Sequence, residues 1–342
     1  MSKTSRIVLL TDTHLRSDYI PGFLDNQVKT LLSLVNEKHT DAVIINGDIF
    51  HKRNPDGDSL LAFDYLLDNL KCRDIYVNRG NHDTVHKDGS SDTTLSLFSS
   101  KAKIITDTET VRICGVNFDF IPHYEDERIV VDALKASKRR KNHVFGHFGF
   151  DGCVSNGSYH YEAKIKRWHF QKDRYTFLGH IHKPKIYDKV HVLGTQYSNS
   201  FGEANTQKFI TQLIVRDGDI SKVVRKPINS GIRHIVCDVG KIESYSKKYK
   251  FKDFFTILRV KLDRLDEYVE RQIHDRLIND YDVDYLELSF EDILPKFTST
   301  YAPTRQLLSL DDSIISEYVQ AKNSIFSEEE LLDALKEIRN ED

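Results

Sequence analysis

The first two hundred positions of the chain alternate between two hydrophobic periods. Arg6 to Leu10 is a short apolar run of strand type, and Phe23 to Val35 carries Leu24, Val28, Leu31, Leu32 and Val35 at helical spacing. Ala42 to Ile45 reads as a second strand. Leu60, Leu61, Phe63, Leu66, Leu67 and Leu70 repeat the helical spacing before a third strand at Ile75 to Val77. This β-α-β-α-β order predicts a largely parallel sheet with helices against it. Farther on, Val111 to Cys114 and Val116 to Ile121 flank Gly115 as a strand pair, and Glu125 to Ser137 reads as a helix. Strands follow at Val144 to Phe145, Tyr175 to Leu178, Ile186 to Leu193 and Phe209 to Val215. The predicted core is α/β with β-rich later parts.

The pattern changes around Ser230-Gly231. Ile232 to Asp238, Phe254 to Leu262, a helical run from Asp266 to Leu277 and Tyr285 to Phe290 suggest a small α+β unit over residues 231–293, after a core of 1–230. Residues 294–306, with Pro295 and Pro303 and little apolar periodicity, read as a linker. Two helices are expected over 307–342. Leu307, Leu310, Ile314 and Tyr318 form one apolar face, and Ser327 to Glu330 forms a capping box before Leu331, Leu335 and Ile338. These stripes either dock on the chain's own core or form an arm that binds a partner.

Composition narrows the class. At 342 residues, with 39% hydrophobic and 30% charged positions, the chain is long enough for a substantial core. No apolar run approaches the roughly 18 residues of a membrane span. The N-terminus leads straight into a strand without a signal-peptide pattern, so a cytoplasmic location is expected. Cys72, Cys114, Cys153 and Cys237 are widely spaced, which indicates reduced thiols and not a disulfide framework or zinc knuckle. A net charge of -3 argues against wholesale polyanion binding but averages over any local basic patch.

The candidate chemistry lies just after the apolar runs. Asp12-Thr-His14, Gly47-Asp48, Gly80-Asn-His-Asp83, Gly146-His147 and Gly179-His-Ile-His182 all present imidazoles, carboxylates or an amide at strand ends. Alone, Asn81-His-Asp83 reads as an ordinary turn whose side chains bond local backbone. Five such ends together read differently, because the crevice beyond the carboxyl ends of parallel strands is where ligands bind. Residues two apart on an extended strand face one way, so Asp12 with His14, and His180 with His182, are expected to share a site. Mixed imidazole and carboxylate donors suit manganese, iron or zinc better than calcium or magnesium. One shared carboxylate among about seven groups suffices for two metals roughly 3.5 to 4 Å apart, an arrangement suited to phosphoester hydrolysis.

In order and spacing these motifs resemble the signature of the calcineurin-like metallophosphoesterases. That resemblance implies a β-sandwich with flanking helices, followed here by a small α+β capping domain and C-terminal helices. Within the superfamily, Asp48-Ile-Phe-His51, Lys183-Pro184 and Tyr197-Ser-Asn-Ser-Phe-Gly-Glu203 are similar to the SbcD-type DNA repair nucleases. The resemblance implies that Asp12, His14, Asp48 and His182 hold one divalent metal, and that Asp48, Asn81, His147 and His180 hold the other. Manganese is the expected ion, with magnesium, iron or zinc as alternatives. A water activated by the two cations would attack phosphorus, with His82 as catalyst and His51 positioning the DNA phosphate. The implied partners are DNA and an SbcC-type coiled-coil ATPase, in a heterotetramer built on a homodimer. The chain itself has no G-x-x-x-x-G-K-[ST] loop for ATP.

Other residues carry weaker signals. Asp83 is expected to shape its turn, and His123, after the strand Val116 to Ile121, is the best remaining candidate for substrate contact. Lys138 to Lys141 closes a helix, where cations complement the dipole. Lys247 to Lys252 interleaves aromatics with cations and reads as a nucleic-acid contact or a solvated edge strand. A metallophosphoesterase acting on phosphoproteins or nucleotides is the alternative reading.

Overall fold

The first strand is apolar on both faces, which requires a layer on each side of it. β1 (Ser5–Leu10) sends Ile7 and Leu9 into one core and Val8 and Leu10 into another, and none of the four is more than 1% exposed. The structure, a computed structural model, describes residues 4–86, 92–154, 160–262, 274 and 277–290. The linker and C-terminal helices expected beyond residue 293, and most of the helix expected from Asp266, lie outside the described residues.

Two six-stranded sheets form the centre. The first also holds β2 (Thr40–Asn46), β3 (Cys72–Asn78), β4 (Lys103–Ile105), β11 (Phe209–Arg216) and β12 (Asp219–Pro227), in the order β12-β11-β1-β2-β3-β4. The second holds β5 (Glu109–Ile113), β6 (Val116–Ile121), β7 (His143–His147), β8 (Thr176–Gly179), β9 (Lys185–Tyr187) and β10 (Val190–Val192), in the order β5-β6-β7-β8-β10-β9. β1 to β4 pair in parallel, as do β6, β7, β8 and β10. Phe118, Phe120, Phe145 and Phe177 from the second sheet meet Ile7, Leu9, Ala42 and Ile44 from the first. Helices α1 (Phe23–Asn36) and α2 (Gly57–Asn69) cover the outer face of the first sheet through Phe23, Leu31, Phe63 and Leu66. On the other side, α3 (Glu127–Arg140) covers the second through Val130 and Leu134. The expected β-sandwich with flanking helices is therefore observed.

Two local expectations are corrected, and two strands lack a signal in the sequence. The single strand expected from Ile186 to Leu193 is a hairpin, β9 and β10, turned by Asp188 at φ 55°. β4 and β12 carry too little apolar periodicity to stand out in the sequence, and they form because a paired neighbour completes each ladder. Lys247 to Lys252 is not an edge strand. It ends α4 (Ile242–Tyr249) and enters a 3-10 turn whose Phe251 is buried. The other basic run reads as expected: Arg140 pairs with the buried Asp119 at 2.8 Å, and Lys141 caps α3.

β13 (Gly231–Asp238), β14 (Phe254–Leu262) and β15 (Tyr285–Phe290) form a small parallel sheet, with α4 crossing from β13 to β14. Ile235, Cys237, Leu258, Val260 and Leu286 make its own core, while Ile232 and Ile257 join the cluster under α1. At Gly231 a Cβ would come within 2.5 Å of Thr30, which keeps the strand close to α1.

His234 sits at this junction, fully buried, with Nε2 3.0 Å from the Tyr19 hydroxyl and Phe23 and Phe201 against its ring. Burial pushes its pKa down to about 3, with Glu203 acting to raise it and Arg16 and Lys208 to lower it. The unfolded chain takes up this proton near its ordinary pKa of about 6.5, while the folded chain resists until about 3. Stability is therefore retained above that range and falls as acid is added, by up to about 1.4 kcal/mol per pH unit. Urea unfolding at stepped pH should show this slope, and His234→Gln should flatten it by about one proton; an unchanged slope would assign the acid sensitivity elsewhere.

Candidate metal centre

β1, β2 and β3 end at one edge of the first sheet, and β7 and β8 end opposite them. Asn46 fastens the two edges together. Its Nδ2 donates to the Gly146 carbonyl at 2.9 Å, its carbonyl accepts from His147 Nδ1 at 2.7 Å, and Asn78 Nδ2 donates to its Oδ1 at 3.0 Å.

The chain turns sharply beyond these ends. Asp12, His14, Asp48 and His180 have φ of 50°, 43°, 53° and 76°, the left-handed region that non-glycine residues seldom occupy. The expected extended D-x-H and H-x-H geometry is thus corrected: the side chains converge because the backbone coils, not because strand alternation continues. Such conformations persist only where surrounding bonds over-determine them. Here the Asp12, His14 and Leu15 amides donate to the carbonyls of Gly47, Asp48 and Ile49 at 2.9, 3.0 and 2.8 Å. Asp83 adds three further ties, accepting from the amides of Asp48, Ile49 and Gly80 at 2.8, 2.9 and 2.8 Å. Gly80 has no substitute, since a Cβ there would lie 2.2 Å from Asp48 Oδ1.

All the expected ligands come together. Asp12, His14 and His182 form one group whose donor atoms lie within 4.8 Å of one another, Asp48, His147 and His180 a second, and His14, Asp48 and His82 a third. Asn81 joins them through its Oδ1, 2.8 Å from His180 Nδ1. His14 Nε2 faces His182 Nε2 at 3.1 Å. His147 Nε2 is buried without a hydrogen-bond partner, 3.3 Å from Asp48 Oδ1 and 3.9 Å from Asp12 Oδ1.

The outer shell directs these nitrogens inward. His147 Nδ1 donates to the Asn46 carbonyl, and His182 Nδ1 donates to Glu203 Oε1 at 2.7 Å, so both rings turn Nε2 toward the carboxylates. Glu203 is 4% exposed and is itself held by Lys208 and by the Thr195 hydroxyl, 2.7 Å from Oε2. Sequence reasoning quoted Glu203 only within a motif and missed this role, which depends on a contact between distant segments.

Electrostatics test whether cations fit. Burial would push the Asp48 carboxyl up, but His147, His14 and His82 outweigh it and hold it well below the usual range. Burial raises Asp12, against the pull of His147 and His182. Burial drives His14 well down and His180 to about 3, so both rings are neutral donors at pH 7. Burial acts to lower His147, yet Asp48 and Asp12 hold it up to about 10, so these buried carboxylates already draw positive charge, and with the neutral His14 and His180 beside them they fit divalent cations.

Three further histidines lie around this centre. The His82 ring is 4.9 Å from that of His14, and its Nδ1 donates to the His51 carbonyl at 2.6 Å. His51 stacks near His82 at 6.1 Å, and burial with Arg16 and His82 nearby lowers it to about 4. His123 stacks on His180 at 5.8 Å and stands edge-on to His147 at 6.5 Å, so it lines the centre as expected.

The sequence profile of the calcineurin-like phosphoesterases matches residues 5–184, a span that includes every expected ligand. The chain belongs to that family. Its members use a dinuclear metal centre, and the described residues of this chain bring three His/Asp groups together that could hold metal, two of them containing Asp48. No curated protein matches the sequence significantly. Among solved structures, the chain is similar to purple acid phosphatase PPD1 from yellow lupin (Lupinus luteus) seeds, with a TM-score of 0.39 and 12% identity over 66% of this chain and 54% of that one. It thus spans about half the length of that phosphatase. It is also similar to the Pseudomonas putida nuclease MPE, with a TM-score of 0.32 and 14% identity over 65% of this chain and 87% of that one. A cold-active protein-tyrosine phosphatase of a Shewanella species gives 0.31 and 15% over 65% and 80%. Among the described residues, no helix is long and apolar enough to cross a membrane.

Metal content measured on dialysed variants checks the ligand sets. Asp48→Ala should hold fewer than two ions per chain while remaining folded, since it removes the carboxylate common to both sets. Glu203→Gln should weaken binding about 10- to 100-fold by releasing the His182 ring. His82→Ala should keep both ions. Full occupancy in Asp48→Ala, or loss of metal in His82→Ala, would exchange the assigned roles.

Proposed function

We propose that this chain is a two-metal DNA phosphodiesterase, the nuclease subunit of an SbcD-type end-processing machine. The observation that carries the reading is His51, whose ring is held between Arg16 and His82 beside the centre, 5.7 Å from the ligand His14. It follows Asp48 by three positions, where the resembling nucleases place a histidine near the substrate phosphate. When bound, two divalent ions supply Lewis acidity at the phosphoryl group and lower the pKa of water. Asp12, His14, Asp48 and His182 would hold one ion, and Asp48, Asn81, His147 and His180 the other. The His51 carbonyl fixes the His82 ring through Nδ1 and leaves Nε2 to deliver a proton to the leaving oxygen. His51 would contribute in a second way, its ring beside Arg16 positioning the phosphate.

Manganese-dependent cleavage of duplex DNA, beside hydrolysis of a small chromogenic diester, tests the reading. The wild-type chain should cleave both, and His51→Asp should lose more DNA cleavage than ester hydrolysis. His82→Ala should slow the chemical step on either substrate by roughly 100-fold or more. Activity confined to phosphoproteins or mononucleotides would replace DNA as the substrate.

The same reading makes a separate coiled-coil ATPase the partner, with the chain acting as a homodimer within a heterotetramer. Support comes from the helical spacing of Leu307, Leu310, Ile314 and Tyr318 and of Leu331, Leu335 and Ile338 in the sequence, and from the lack of a G-x-x-x-x-G-K-[ST] motif within these 342 residues. Removing residues beyond Thr304 should leave metal binding intact and abolish co-purification with such an ATPase. Undiminished association would locate the contact elsewhere.

A further inference from the structure

Arg16 is a cation beside the centre that, among the described residues, makes no ion pair with a carboxylate. Its guanidinium carbon lies 3.7 Å over the Tyr19 ring and 5.3 Å from that of Phe23. Its Nη2 donates to the Asn199 carbonyl, Nη1 points to His51 Nε2 at 3.4 Å, and the backbone amide donates to Gln27 Oε1 at 3.2 Å. Among the described residues no carboxylate pairs with it. Asp18, the nearest in sequence, is bound by Lys52 at 2.5 Å, and Glu203 is bound by His182 and Lys208. The Arg16 Nε is buried without any partner.

A guanidinium drawn partly out of water and given only a carbonyl and a ring nitrogen is costly unless an anion arrives. Stacking on Tyr19 and the bond to Asn199 keep it from folding back into solvent, so its remaining donors form a fixed fork. The His51 ring separates this fork from the metal ligands, with centroids 5.7 Å from His14 and 6.1 Å from His82. Two divalent ions against Asp12 and Asp48 would leave the centre net positive as well. A ligand spanning the two places must therefore carry more than one negative group.

We propose that Arg16, braced by Tyr19 and Asn199, binds a second phosphate of the substrate, next along the strand from the phosphodiester at the metal centre. The ligand class is a polynucleotide strand, in preference to an isolated phosphodiester or a phosphomonoester. The inference rests on the nuclease reading and adds to it a phosphate subsite on the loop after His14.

The test uses the metal-loaded full chain with a fluorescent phosphorothioate oligothymidylate, followed by anisotropy over a salt series. Arg16→Met should weaken binding about tenfold or more, the loss expected for one charge-assisted contact. It should also lower the slope of log affinity against log salt by about 0.7, one phosphate contact on a single strand. Arg16→Lys should restore the slope but only part of the affinity, since it keeps the charge and loses the fork. In kinetics, the Arg16→Met loss on an oligonucleotide should be carried by KM and exceed the loss on bis-para-nitrophenyl phosphate by about tenfold. Unchanged oligonucleotide affinity and salt slope, or equal losses on both substrates, would overturn the subsite while leaving the nuclease reading intact. A wild-type chain that hydrolyses the small ester but neither binds nor cleaves the oligonucleotide would overturn both.

Discussion

The centre depends on keeping one carboxylate, Asp48, charged and out of water. Its own amide is bonded by Asp83, its Oδ1 accepts from the His82 amide at 2.8 Å, and imidazoles approach from His147 and His14 at 3.3 and 3.7 Å. A buried carboxylate so placed must be balanced by positive charge, or it takes up a proton. The arrangement has a backbone cost too, because Asp48 and the facing Asp12 both lie in the left-handed region. The loops resist relaxing because each supplies the hydrogen bonds that hold the other. Asp83 ties the third loop to the second, and Asn46 ties both sheets together just behind them.

How much of this could be read from the sequence follows from the range of each interaction. The alternation of strand and helix was legible because it is local, and the ligand residues were legible because each follows an apolar run. The reason given for their convergence was not correct, since strand alternation stops before Asp12 and coiled backbone takes over. Asp83 was read as bonding its own turn. It does bond Gly80, but two of its three amides belong to another loop, a contact that no local rule displays. Glu203 and Arg16 were missed for the same reason, because neither has a recognisable spacing and both act on residues far away in the chain. The edge-strand reading of Lys247 to Lys252 failed for the opposite reason: the charge pattern is conspicuous, while the structure is decided by Phe251 entering the core of the small sheet.

The outer shell divides the work between the two sets of ligands. On the side of His147 the partner is a backbone carbonyl, which orients the ring without adding charge. On the side of His182 it is Glu203, a full carboxylate whose own charge is sustained by Lys208. Burial disfavours the Glu203 carboxylate, yet Lys208 and His182 together hold its pKa far below the usual range. A more basic His182 binds a cation more tightly. His147 and His182 are thus held by chemically unequal partners, a neutral carbonyl and a charged carboxylate.

The small parallel sheet takes part in this without contributing a ligand. It presents His234 to Tyr19, and Tyr19 in turn carries the Arg16 guanidinium on its ring face. Phe201, two residues before Glu203, packs edge-on against the same histidine at 4.9 Å and lies under Arg259 of β14. The segments that carry Arg16 and Glu203 therefore rest on one buried imidazole of β13. Neither segment has a regular element of its own at these positions beyond a short 3-10 turn. Their geometry is borrowed from the sheet beneath them, so His234 is joined through packing to the rim of the metal centre.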